Sequence, residues 1–74
     1  MDTIEHIESC KQLIKEAVQT VGLTVKFEKF QEANNPNIKG IDIKLYKDNF
    51  LVYKSYAVSY VLGFVDGLRY CLKN

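Results

Sequence analysis

Few side chains in this sequence are suited to chemistry. His6 is the only histidine, and Cys10 and Cys71 are the only cysteines. A cysteine becomes a nucleophile when a base takes its proton, but the pattern places His6 near an exposed helix start beside Glu5 and Glu8, where a solvated imidazole is expected. On this reading no histidine is positioned to activate either cysteine. Neither cysteine has a second ligand at zinc-site spacing, so neither a metal nor a cofactor is expected. Asp66 and Arg69, three residues apart, read as a surface ion pair rather than an acid–base couple. Gly22, Gly40, Gly63 and Gly67 match no phosphate-binding fingerprint. The chemistry-bearing residues therefore predict a non-enzymatic protein.

The chain has 74 residues, enough for one domain. A chain of this size hides only about 60% of its unfolded surface, and its core supplies roughly 3–5 kcal/mol unless a disulfide, a metal or a second copy helps. Two cysteines do not make a secreted disulfide framework. The acidic N-terminus reads as a helix cap and not as a signal peptide, so a reducing cytoplasm is the expected setting. Ten basic and nine acidic side chains leave a net charge of +1. Such a balance excludes a strong non-specific grip on nucleic acid, which needs a basic excess. The longest uncharged run, Ser55 to Val65, is shorter than the ~20 residues of a spanning helix.

The elements that position these residues follow from periodicity. Residues 3–21 predict an amphipathic helix, with Asp2 as N-cap and Glu5 three residues on. Ile4, Ile7, Cys10, Ile14, Ala17, Val18 and Val21 share its inner face, and Gly22 suits a left-handed stop. Residues 23–30 alternate as a strand, with Leu23, Val25 and Phe27 inward. The Asn- and Pro-rich stretch 31–39 is a loop. Residues 41–46 form a second strand, with Ile41, Ile43 and Leu45 inward. An Asp48-Asn49 turn then leads to a third strand, 50–54, pairing Leu45 with Val52 and Tyr46 with Leu51. Ser55 caps a second helix, 56–72. The fold class is thus α+β, α-β-β-β-α, with a three-stranded antiparallel sheet covered on one face by two helices. The alternative is α-β-β-α with a longer C-terminal helix starting at Asp48. In the three-stranded version the helices run parallel, which separates Cys10 from Cys71 by about 12 Å along their axes, too far for a disulfide. Both read as small buried hydrophobes.

Two surfaces stand out. On a wheel of about 100° per residue, Ala57, Val61, Phe64, Leu68 and Leu72 form the expected core arc of the second helix. Tyr56, Ser59, Tyr60, Gly63, Gly67 and Tyr70 form another arc, and Val58 and Leu62 fall on a third side. Each glycine costs a helix about 1 kcal/mol relative to alanine. Either the first helix packs against this small-residue groove within one molecule, or the face meets a second copy or another protein. Apolar coverage on three sides lends support to the interface, since large exposed apolar patches mark binding. The outer sheet face is the second candidate, with Thr24, Lys26, Glu28, Lys44, Tyr46, Leu51 and Tyr53. Tyrosines beside lysines can stack unpaired bases, although Glu28 and Asp42 on the same face argue against a nucleic-acid footprint. The 31–39 loop offers hydrogen bonding without chemistry.

The element order resembles that of double-stranded-RNA-binding domains, which place two parallel helices on a three-stranded sheet. That family carries a lysine cluster at the start of its second helix, where this chain has only Lys54, followed by Ser55, Tyr56 and Ala57. The resemblance covers topology alone, carries over no residue and licenses no function. The expectation is a non-enzymatic protein-interaction module that forms a homodimer and binds another protein. Its small size and lack of chemistry would suit a phage or mobile-element accessory protein that inhibits a host or defence complex. The alternative is a weak RNA or single-stranded nucleic-acid binder that uses the sheet tyrosines.

Overall fold

The computed structural model describes residues 3–73. Its elements are α1 (Ile4–Gln19), β1 (Thr24–Gln31), β2 (Lys39–Lys47), β3 (Phe50–Ser55) and α2 (Val58–Lys73). The strands form one antiparallel sheet in the order β1-β2-β3, so the three-stranded architecture is the one that forms.

Thr3, rather than Asp2, caps α1: its Oγ1 accepts the His6 backbone N–H at 3.1 Å. Asp2 lies outside the described residues. Both residue types cap well, so type alone does not choose between adjacent candidates. Ile7, Ile14 and Val18 are fully buried on the inner face of the helix. It closes with Leu23 N–H donating to the Val18 carbonyl and Gly22 N–H donating to the Gln19 carbonyl. This bond pair needs a left-handed residue between its ends, and Gly22 has φ +75°.

The β1–β2 connection is tighter than expected, because both strands extend into the 31–39 stretch. Glu32 N–H donates to the Ile38 carbonyl at 2.9 Å, Ile38 N–H to the Asn35 carbonyl at 2.9 Å, and the Gln31 side-chain amide to the Pro36 carbonyl at 3.0 Å. The β2–β3 turn is the two-residue Asp48-Asn49 turn, with φ +51° and +74°. Positive φ at both central residues matches the right-handed twist of a hairpin.

Beyond that turn the register departs from strict alternation. Tyr46 pairs with Leu51 as expected, but Leu45 pairs with Tyr53. Val52 is the extra residue of a β-bulge. Tyr53 therefore turns to the inner face, where it stacks on Phe64 of α2, centroids 4.3 Å apart and planes 7° from parallel. Its expected place on the outer face is corrected.

Helix α2 starts two residues later than its sequence pattern suggests. Ser55 Oγ accepts the Ala57 N–H at 3.2 Å, which closes a turn before the helix, and the first helical bond runs from Val61 N–H to the Ala57 carbonyl. The core arc shifts too. Val58, Val61 and Val65 are the buried residues of α2, whereas Phe64 and Leu68 are only partly buried, and Leu72, on the same face as Val65, is 71% exposed near the helix end. Val58 thus belongs to the core and not to an interface, and Leu62 packs partly against the core. An all-round apolar helix does not disclose its phase; here contact with the bulged sheet selects it. These valines join Ile7, Ile14, Val18, Leu23, Ile41, Ile43 and Leu45 in one cluster between helices and sheet. Arg69 Nε donates to Thr20 Oγ1 at 2.9 Å, tying the C-terminal ends of the two helices, which run in the same sense. No helix of the described residues is long and apolar enough to cross a membrane.

Candidate functional site

The outward side of α2 is built by the same helix phase that buries Val58, Val61 and Val65. Turning these residues inward turns Ser59, Tyr60, Gly63, Gly67 and Tyr70 outward, and all five are exposed. Tyr60 is 68% and Tyr70 72% exposed. The glycines decide whether α1 fills the groove. A β-carbon built at Gly63 or Gly67 meets no heavy atom within 4 Å. α1 therefore does not pack there, and the intramolecular account of the glycines is overturned. Of the residues expected on this surface, Val58 and Leu62 leave it for the core side. Tyr56 turns aside to Phe30 of β1, ring centroids 5.5 Å apart.

Leu72 does not extend the core. It lines an apolar groove of about 220 Å³ with Val21, Leu23, Val52, Phe64 and Leu68, with Lys47 and Cys71 also at its walls. Cys71 is exposed and Cys10 half-buried, both as free thiols. The expectation of two buried cysteines therefore fails at Cys71, which lies off the arc α2 turns to the sheet.

On the outer sheet face, alternation and register set Lys26, Lys44 and Lys54 side by side across the three strands. Lys44 Nζ donates to Glu28 Oε2 at 2.6 Å. This hydrogen bond, together with the lysine charge, holds the Glu28 carboxyl below its ordinary value, and the same hydrogen bond holds Lys44 above its own. Lys26 Nζ sits 5.2 Å from the Tyr46 ring centroid, a cation–π contact. Tyr46, Leu51, Lys26 and Lys44 keep their expected places, and Tyr53 does not. The Phe30–Tyr56 pair was missed, although a signal existed. Gly40 stands opposite Phe30 in the sheet and is buried despite having no side chain, and a strand glycine often marks a place that neighbouring aromatics cover.

Asp66 and Arg69 form the expected i,i+3 pair at 3.1 Å. The histidine expectation needs revision: His6 Nε2 lies 4.0 Å from Cys10 Sγ, because residues four apart on a helix are neighbours on one face. Among the described residues no group of three or more His, Cys, Asp or Glu is arranged to hold a metal ion. Compared with known proteins, the chain matches no family model, no curated protein and no solved structure.

Proposed function

We propose that the chain is a non-enzymatic protein-interaction module whose outward α2 face, Ser59, Tyr60, Gly63, Gly67 and Tyr70, receives a second copy of the chain or another protein. One observation carries the reading: two glycines sit mid-helix, where each costs about 1 kcal/mol, and neither has an atom within reach of a β-carbon. Nothing inside the fold requires a missing side chain at these positions. A close-approaching backbone from outside would require it, and the flanking tyrosines supply the amphipathic contact area that interfaces favour. Sedimentation equilibrium at tens of micromolar tests the homodimer. The wild type is expected to associate and Gly63→Leu to be monomeric and folded, whereas a clean wild-type monomer removes the homodimer. Affinity capture from nuclease-treated lysate then tests the wider reading, which fails if Gly63→Leu captures the same proteins as the wild type.

A nucleic-acid role draws on the row Lys26, Lys44 and Lys54 beside Tyr46. It is the weaker reading, because Tyr53 stacks inside on Phe64 and Lys44 is held by Glu28. Binding of single-stranded RNA no tighter than about 10⁻⁴–10⁻⁶ M at physiological salt, the non-specific range, is the expected outcome of a titration.

A further inference from the structure

The first half of α1 brings together two side chains that bind soft metals. His6 Nε2 and Cys10 Sγ are 4.0 Å apart. His6 is exposed and Cys10 half-buried, so the pair is rooted against the core at the sulfur and opens toward solvent at the ring. Ser9 lies beside them: its Oγ donates to the His6 carbonyl at 2.7 Å and stands 3.9 Å from the Cys10 sulfur. With its one proton given to the His6 carbonyl, the Ser9 oxygen faces the Cys10 thiol as an acceptor.

A zinc ion binds a thiolate at about 2.3 Å and an imidazole at about 2.0 Å in a tetrahedral arrangement, which sets the two ligand atoms about 3.5 Å apart. The His6–Cys10 pair, at 4.0 Å, stands about half an ångström wider than that, within the range that rotation of two side chains on a helix surface spans. The geometry points to a two-ligand clip for a soft divalent cation of the zinc class, with Cys10 binding as thiolate and His6 through Nε2. Thiolate and imidazole together select such ions over magnesium and calcium, which favour oxygen. Binding releases the thiol proton, because the sulfur ligates only as thiolate. Among the described residues no group of three such ligands forms, so two protein ligands leave coordination positions open to exchangeable water. The site is therefore one that holds an accessible ion, unlike a closed four-ligand site that pins a fold.

Cobalt(II), a spectroscopic substitute for zinc, tests the assignment on the full reduced chain. The expected result is a thiolate-to-cobalt absorption band that saturates near one equivalent and is displaced by zinc. Cys10→Ser should abolish the band, and Cys71→Ser should leave it unchanged. His6→Ala should weaken uptake at least about tenfold, the loss even an outer-shell partner causes, and His6→Gln should do the same. Circular dichroism on each variant separates lost binding from lost folding. The proposal is overturned if excess cobalt gives no band, if the band survives Cys10→Ser or follows Cys71, or if both His6 variants bind as the wild type does. Because absorption and self-association are separate readouts, this result stands or falls independently of the α2 interface.

Discussion

The two helices have the same length and each buries three side chains completely or nearly so: Ile7, Ile14 and Val18 in α1, and Val58, Val61 and Val65 in α2. They differ on the side turned away from the sheet. In α1 that side carries Glu5, Gln12, Lys15, Glu16 and Gln19, an ordinary solvated face. In α2 it carries Ser59, Tyr60, Gly63, Gly67 and Tyr70, with Asp66 at its margin. Two elements doing the same work for the core thus present opposite surfaces, and what separates them is what the core does not need. The glycines sharpen the contrast. Gly22, just past α1, is required by its backbone angle, whereas nothing among the described residues requires Gly63 or Gly67.

The equivalence of the helices at the core is tested by the largest effect. Ile14→Ala removes a fully buried side chain and should cost about 2–5 kcal/mol, close to the whole stability of a domain this small. Urea unfolding should find Ile14→Ala barely folded and Leu13→Ala, at a half-exposed neighbour, close to the wild type. The next test concerns Gly22. With φ at +75°, an alanine there pays the left-handed penalty of about 1–2 kcal/mol, so Gly22→Ala should lower the unfolding midpoint. Gly63→Ala should do the reverse. In open space it gains helix propensity and should stabilise the isolated chain by about 0.8–1 kcal/mol. Opposite signs for one substitution at two glycines would confirm the comparison, and a destabilising Gly63→Ala would end it.

The smallest effect sets the scale of an ordinary solvated surface. The Glu28 carboxyl is held low by Lys44, so its contribution is present above the unfolded carboxyl pKa and lost as pH falls through the folded value. The Lys44 ammonium is held high, so its contribution is present below the unfolded lysine pKa and lost as pH rises through the folded value. Glu28→Gln should flatten the thermal midpoint against pH at both ends. The change should be slight, because exposed ion pairs contribute little; a large shift would make the outer sheet face more than a solvated surface.

What could be read from the chain divides along the same line. α1 and the Asp48-Asn49 turn were legible because their signals are local: a 3.6-residue period, a small polar cap, and two residues that tolerate positive φ. The phase of α2 was not, because apolar residues surround it and only contact with the sheet selects Val58 and Val65 over Phe64 and Leu68. The bulge at Val52 carries no side-chain mark, since valine suits a regular strand equally well. Tyr53 was misplaced for that reason alone. His6 and Cys10 stand four apart, a spacing that puts two side chains on one helix face but matches no multi-ligand zinc pattern.

Val52 has a consequence beyond its own pairing. In a strand, odd and even positions behave as two reading frames, one for water and one for the interior. The single inserted residue changes the frame in mid-strand, so Leu51 and Tyr53, two positions apart, face opposite sides. A deletion of Val52 would thus restore the frame: Leu51 and Tyr53 would become consecutive, and consecutive strand residues face opposite sides, so Leu51 would stay opposite Tyr46 and Tyr53 opposite Leu45 in an unbroken ladder. Leaving Val52 out of the pairing is what lets the present chain keep Leu51 outward and Tyr53 on Phe64.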